Sequence, residues 1–448
     1  MFERTHGLTT TFVRAAAPVL GLGCLAGCGG SSATTASTAA AADCSVPGEN
    51  SQIFTIMQSW YFWYTSLPAT IDAASYSSPS ALLDAIRQKP LDRFSYITTQ
   101  AADQAFYGAG QYVGYGLGFD FTPANDLQVT QVFPGSPAAT AGLERGDTVT
   151  EINGSSVPSL VASGKLDDAL AAPTTGVVVQ FGYTDLAGQT HSVSLTSAVI
   201  TQPSVGKVAT LDAAGQPVGY ILFNSFIDTS NNALDQAVTQ LAASGVHDLI
   251  VDERYNGGGE VSVAQHLATL IAGESFAGKK LGSLTFNDQH SDQDQDVVFA
   301  TTATALGVDQ VVFITTAATA SASEFTINAL TPYIHVATVG SATFGKPVGE
   351  NGFNVCSDVL YPITFQIVNV LGKGDYFNGL PPTCPAADDL THALGDPQEA
   401  SVATALGYIR DGSCGPLAAA AARAQALDQQ RRARRVARYG WRQLVNAY

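Results

Sequence analysis

The stretch Gln310-Val311-Val312-Phe313-Ile314, together with the run Thr319-Ala320-Ser321-Ala322-Ser323-Glu324 after it, decides the fold of this chain. A short, β-branched and almost wholly apolar run reads as a strand buried on both faces. Small residues then form a loop, and a helix is expected from Ser323 to Leu330. The same grammar recurs on either side. Val218–Phe223 is a strand before a helix at 232–243. Asp248–Asp252 is a strand before the loop Arg254-Tyr255-Asn256-Gly257-Gly258-Gly259 and a helix at 261–271. Ile334–Val339 is a fourth strand. Strand alternating with helix argues for an α/β core with parallel strands and right-handed crossovers. In such cores active residues gather in loops at the carboxyl ends of strands. The glycine loop, Ser321 and the turn Thr343-Phe344-Gly345-Lys346 all fall there.

Those three pieces can carry chemistry. A serine hydroxyl is a weak nucleophile until a base takes its proton, and a lysine can be that base. Ser321 precedes a helix whose free N–H groups favour a developing oxyanion, with Ala320 and Ala322 small enough to leave the hydroxyl accessible. A helix cap is the plainer role for serines here, and Ser323 is the expected cap, with Glu324 favoured by the dipole. Lys346 needs an environment that favours the free amine, which burial supplies and a neighbouring carboxylate opposes. Gly257–Gly259 can turn backbone N–H groups onto an anion, but lacks the endings of nucleotide-binding loops. The seven histidines form no metal-binding pair, and no metal or organic cofactor is expected.

A chain of 448 residues holds two or three domains, and a formal charge of −17 argues against nucleic acid. Arg4 and Arg14, the apolar stretch 15–25 and Leu25-Ala26-Gly27-Cys28 read as an export signal. A Gly/Ser/Thr/Ala tether follows. Ile53, Ile56, Met57 and Trp60, then Ala81, Leu82, Leu83 and Ile86, recur at helical spacing, whereas 112–204 alternates like strands, with one helix from Leu160 to Leu170. Cys44, Cys356, Cys384 and Cys414 remain after the signal, and four cysteines allow three pairings. The expected pairing is Cys356 with Cys384 and Cys44 with Cys414, with free buried thiols as the alternative. Arg431, Arg432, Arg434, Arg435, Arg438 and Arg442 crowd the tail.

Taken together, Thr-Ala-Ser-Ala-Ser-Glu, Thr-Phe-Gly-Lys and the glycine loop resemble the motifs of the C-terminal processing, or tail-specific, serine peptidases, in the family's order and at its interval. The resemblance implies a crotonase/ClpP-like α/β core with Ser321 as nucleophile and Lys346 as general base. The N–H of Ala322 and one from the glycine loop, Gly258, would form the oxyanion hole. Tyr115-Gly116-Leu117-Gly118-Phe119 is similar to a PDZ carboxylate-binding loop, so Gly116, Leu117, Gly118 and Phe119 are expected to bind a peptide end by β-strand addition. Glu350 stands where the family often has glutamine, with Arg254 as its candidate compensating charge. Leu25–Cys28 resembles a lipobox, which implies that Cys28 is acylated. Gly29 after it leans towards the outer membrane of a bacterial cell envelope, facing the periplasm.

The expected order is a lipoprotein signal (1–28), tether (29–49), small helical segment (50–108), PDZ-like β-rich domain (109–205), peptidase core (206–415) and Arg-rich helical tail (416–448). The reading is a lipid-anchored serine endopeptidase acting on unfolded or C-terminally exposed proteins. Its rival is a pseudo-peptidase, disabled by Glu350, that captures C-terminal tails. An esterase or amidase is a weaker third. The sequence leaves the oligomeric state open.

Overall fold

The computed structural model describes residues 43–170 and 174–415. The signal segment, Cys28, most of the tether and the Arg-rich tail lie outside the described residues.

The core is a six-stranded sheet in the order Val205–Ala213, Gln216–Phe223, Asp248–Asp252, Gln310–Thr315, His335–Gly340, Cys384–Pro385. The first two strands form an antiparallel hairpin, and every later pairing is parallel. Its two-residue turn, Ala214-Gly215, has positive φ at both positions (55° and 92°), the geometry that matches strand twist. Side chains alternate between faces along each strand. Ile221, Phe223, Leu249, Val251, Val311 and Phe313 face one way, against the helices Ser230–Ala242, Val261–Ala272 and Ala322–Leu330. Val218, Tyr220, Ile250, Val312, Ile314 and Val339 face the other, against the helix Ala400–Asp411. The four parallel strands and three intervening helices are where the hydrophobic pattern puts them, to within two residues.

A second, four-stranded antiparallel sheet was not apparent from the sequence: Gln295–Val298, Lys280–Phe286, Ile363–Asn369, Val348–Glu350. Its Leu281, Leu284, Phe286, Phe365 and Ile367 join the main core. It fixes the segment just after Lys346.

The N-terminal helix is Val46–Trp60, starting inside the stretch read as tether. Ser45 Oγ accepts the Gly48 N–H, and Pro47 sits at the helix start, both favouring initiation there. Its stripe of Ile53, Phe54 and Met57 packs with Leu82, Leu83 and Ile86. Tyr96–Thr99 then pairs with Asp358–Tyr361 in a three-stranded sheet, so this domain is stitched to the catalytic region.

The PDZ-like sheet runs Leu117–Phe121, Leu127–Val132, Thr148–Ile152, Val178–Thr184, Thr190–Thr196. Leu117–Phe121 is its edge strand. The helix expected at 160–170 is two, Val157–Ser163 and Leu166–Leu170, because Gly164 takes a left-handed conformation (φ 70°) and ends the first.

The cysteines pair as Cys44–Cys356 and Cys384–Cys414, which corrects the expected pairing. Cys356 lies in the turn between Phe353–Val355 and Asp358–Tyr361, and that hairpin is carried away from Cys384 onto the N-terminal sheet. Cys384 lies beside His335–Gly340, in the same core cluster as Cys414 after the last helix. The Cys44–Cys356 bond closes a loop of 312 residues. Its removal by Cys44→Ser with Cys356→Ser is expected to lower unfolding free energy by about 2–5 kcal/mol in urea titration. An unchanged midpoint would show that the N-terminal domain is held by packing alone.

Candidate active site

Ser321 sits immediately before the helix Ala322–Leu330, with φ 58° and ψ −114°. Positive φ in a non-glycine residue stores roughly 1–3 kcal/mol and persists only where surroundings enforce it. The enforcement is visible. The Ser321 N–H donates to Glu324 Oε2 at 2.9 Å, and the Ala320 N–H donates to the Asn256 carbonyl at 3.0 Å. Ser321 therefore occupies the cap position expected for Ser323. Ser323 is the second residue of the helix, fully buried, and its hydroxyl donates to the Asn256 carbonyl at 3.2 Å.

The turn of Lys346 docks on this loop. Phe344 N–H donates to the Thr319 carbonyl at 2.9 Å. Glu324 completes the junction, because it also accepts the N–H groups of Gly345 (2.7 Å) and Lys346 (2.8 Å) and the Thr343 hydroxyl. Ser321 N and Lys346 N share one oxygen, Oε2, so they lie within about 5.7 Å of each other. Burial pushes the Glu324 carboxyl up, and the donors from Thr343, Lys346, Gly345 and Ser321 oppose that rise. Gly345 is required here: φ is 94°, and a Cβ would fall 2.4 Å from the Phe377 carbonyl.

Lys346 is 2% exposed. Its Nζ pairs with Glu350 at 2.7 Å, with side chains 3% and 10% exposed, and lies 5.8 Å from the Phe94 ring centre. Glu350 thus holds the amine in this state. Arg93 braces the turn from the N-terminal domain. Its Nη2 donates to the carbonyls of Phe344, Gly345 and Phe377 at 3.2, 3.1 and 2.9 Å.

The glycine loop lies directly beneath. A Cβ on Gly258 (φ 95°) would meet Ser321 Cβ at 2.8 Å and Ala322 N at 2.9 Å. Asn256 shapes this approach: its Nδ2 donates to the Phe223 carbonyl, and its Oδ1 accepts the Gly258 N–H at 2.9 Å. The Gly258 donor is thus engaged in this state. The Ala322 N–H is the first of its helix and has no intrahelical acceptor.

Arg254 does not compensate Glu350. Its buried guanidinium donates to Asp252, Asp388 and Glu399 on the far face of the strand. Asp388 also receives Arg145 of the PDZ-like domain, and Tyr255 bonds both. Burial pushes Asp388 up, but Arg254 and Arg145 outweigh it and hold the carboxyl at about 2.

The stretch expected to bind a peptide end is ordered by its neighbours. Gly116 (φ 82°) abuts Ser136, its carbonyl accepts the Phe133 N–H, and the Tyr115 carbonyl accepts the Ala138 N–H. Leu117 and Gly118 then enter the edge strand, and Phe119 is half-buried.

Three contributors escaped the sequence reading: Glu324 as a clamp, Asn256 and Arg93. The Ser-x-x-Glu spacing of Ser321 and Glu324 is a capping-box signature that could have flagged the first. Nothing local marks Arg93.

Comparison with known proteins agrees with this architecture. Residues 48–96 match the peptidase S41 N-terminal domain, 128–178 a PDZ domain and 217–378 peptidase family S41. The chloroplastic C-terminal processing peptidase of Tetradesmus obliquus is 27% identical over 64% of this chain and 63% of its own length. The carboxyl-terminal-processing protease of Synechocystis is 28% identical over 55% of this chain and 56% of its own. The chain thus spans less than two thirds of these relatives. A Bacteroides fragilis structure assigned to the S41 proteases superposes with TM-score 0.65 and 26% identity, over 81% of this chain and 97% of that one. A photosystem II D1 C-terminal processing protease (TM-score 0.50, 20% identity, 76% of this chain and 92% of that one) shares the fold. Along the chain the two peptidase S41 matches flank the PDZ match.

Glu253 has a separate consequence. It is fully buried, neither carboxyl oxygen has a hydrogen-bond partner, and burial pushes its pKa well above the usual range. A carboxyl raised in the folded state is tolerated below its unfolded pKa and costs stability as pH rises towards the folded one. Glu253→Gln should therefore gain on wild type between about pH 4.5 and pH 7.5, by about 1.4 kcal/mol per unit of elevation in that window. Urea titrations at the two pH values check it, and a pH-independent difference would contradict it.

Proposed function

We propose that this chain is a serine endopeptidase with a Ser321–Lys346 dyad, acting on unfolded or C-terminally exposed proteins in the bacterial cell envelope. The observation that carries the reading is the shared Glu324 oxygen, which fastens the backbones of Ser321 and Lys346 together at the carboxyl ends of the parallel strands. Ser321 attacks the scissile carbonyl while Lys346 takes its proton. The oxyanion develops against the Ala322 N–H and the glycine loop, where the Gly258 N–H turns from Asn256 to the substrate. Lys346 returns the proton to the leaving amine, and water then releases the acyl group. Catalytic contacts commonly tighten only with substrate bound, so a lysine resting on Glu350 is compatible with this sequence.

Leu117–Phe121 ends the order of the PDZ-like sheet among the described residues, which supports capture of a C-terminal tail at Gly116–Phe119 by strand addition. Two disulfides fit an oxidising compartment. No helix of the described residues is long and apolar enough to cross a membrane. Acylation of Cys28, suggested by Leu25–Cys28, would anchor the protein to the outer membrane facing the periplasm.

One observation favours the second reading, a tail-binding adaptor without peptidase activity: the base is held in an ion pair. Cleavage of an unfolded protein by wild type, Ser321→Ala and Lys346→Ala separates the two. The peptidase reading predicts wild-type cleavage and a loss of about a thousandfold or more in both variants. Variants as fast as wild type would remove the dyad, and an inactive wild type that still binds tail peptides would establish the adaptor.

A further inference from the structure

Lys346 and Glu350 lie four residues apart across Pro347-Val348-Gly349, and Val348–Glu350 is pinned to Ile363–Asn369 by antiparallel pairing. The carboxylate is thereby built into the wall of the site rather than attached to a mobile loop. At 2.7 Å and almost wholly buried, it is the nearest charge to the amine that would serve as base.

We propose that Glu350 is the charge partner of Lys346: it holds the lysine as an ammonium at rest and sets the pH above which the amine can accept the Ser321 proton. The proposal rests on the dyad reading given above. Glu350 acts through Lys346 and so is a positioning residue.

The proton balance is simple. At rest the pair is ammonium and carboxylate. As the pH rises through the pKa of the amine, Nζ releases one proton to solvent, leaving a neutral amine beside the Glu350 carboxylate. The amine takes the Ser321 hydroxyl proton as the Oγ–carbonyl carbon bond forms and the carbonyl π pair moves onto oxygen. The ammonium then protonates the leaving nitrogen as the carbon–nitrogen bond breaks. Deacylation repeats the transfers with water as nucleophile, the amine passing the water proton to Ser321 Oγ as the acyl bond breaks, so that it ends neutral and ready for another cycle.

The groups facing the pair limit the alternatives. From the helix Ala322–Leu330 comes Glu324, whose oxygens accept backbone N–H groups of Gly345 and Lys346. From the N-terminal domain comes Arg93, bound to the Gly345 carbonyl and electrostatically coupled to Glu324. The buried phenol of Tyr376 faces Glu324 as well. The residues opposite Val348–Glu350 on the neighbouring strand are Gln366, Phe365 and Ile363, none of them charged. Asp92 stands behind them, bonded through Ser95, whose hydroxyl accepts the Ile363 N–H. Glu350 meets Nζ directly, whereas Glu324 is engaged by backbone N–H groups, so Glu350→Gln removes the paired charge and leaves the Glu324 clamp in place.

The test is the pH profile of kcat/KM for an unfolded protein substrate with wild type, Glu350→Gln, Glu350→Ala, Lys346→Ala and Ser321→Ala, each first shown to be folded. Loss of an adjacent anion shifts an amine down by about 1–3 units. The acid limb of Glu350→Gln should move down by at least about one unit, with about 10-fold faster cleavage at pH values on the wild-type limb. Glu350→Ala should show the same displaced limb with a lower plateau, because nothing then orients the amine. A Glu350→Gln limb coinciding with that of wild type, or a folded but inactive Glu350→Gln, overturns the proposal while silent Lys346→Ala and Ser321→Ala leave the dyad standing. Lys346→Ala as fast as wild type removes the dyad and this proposal together.

Discussion

The carboxylate of Glu324 is the contact on which the site depends. It reaches back to the Ser321 N–H and forward to the turn of Lys346, accepting four hydrogen bonds in a buried position. Hydrogen bonds to a charged acceptor contribute about 1.5–3 kcal/mol each. The strained backbone of Ser321 costs about 1–3 kcal/mol. The clamp therefore outweighs the strain, and Ser321 can be held in a conformation that an ordinary loop would abandon. Asn256 does similar work from below, where its main-chain and side-chain oxygens tie the nucleophile loop to the glycine loop. Arg93 does so from the N-terminal domain. Three segments far apart in the chain thus converge on the turns of Ser321 and Lys346.

The polar interior is divided between the two faces of one strand. Asp252 and Arg254 point to one side and enter a cluster with Asp388, Glu399 and Tyr220. Glu253 points to the other, beside Ser323, with no cation among the described residues to pair its carboxyl. The alternation of a β-strand alone dictates this split. It explains why Arg254, three residues from Gly257, cannot serve Glu350. It also links the PDZ-like domain to the loop after the strand, since Arg145 bonds both Tyr255 and Asp388.

Much of this was legible in the residues. Buried runs such as Gln310–Ile314 and Asp248–Asp252 are parallel strands because nothing polar interrupts them, and the Ser321, Lys346 and glycine segments meet where crossover topology places them. The second sheet was not legible. Its strand Lys280–Phe286 includes Gly282 and Ser283, and its partner Ile363–Asn369 arrives more than seventy residues later. Disulfide pairing failed for a related reason: the hairpin bearing Cys356 finds its sheet in Tyr96–Thr99, a contact that no local pattern announces. Arg93 was equally hidden, because its three acceptors are backbone carbonyls, which leave no mark in a sequence.

The account reduces to whether Lys346 activates Ser321. A serine-directed phosphonate reports this without a natural substrate, through the rate at which its adduct mass appears on the peptide containing Ser321. Rapid labelling at Ser321 in wild type, and labelling slowed by at least about a hundredfold in folded Lys346→Ala, is the expected result. Equal labelling of both proteins, or an adduct on a different residue, would contradict it.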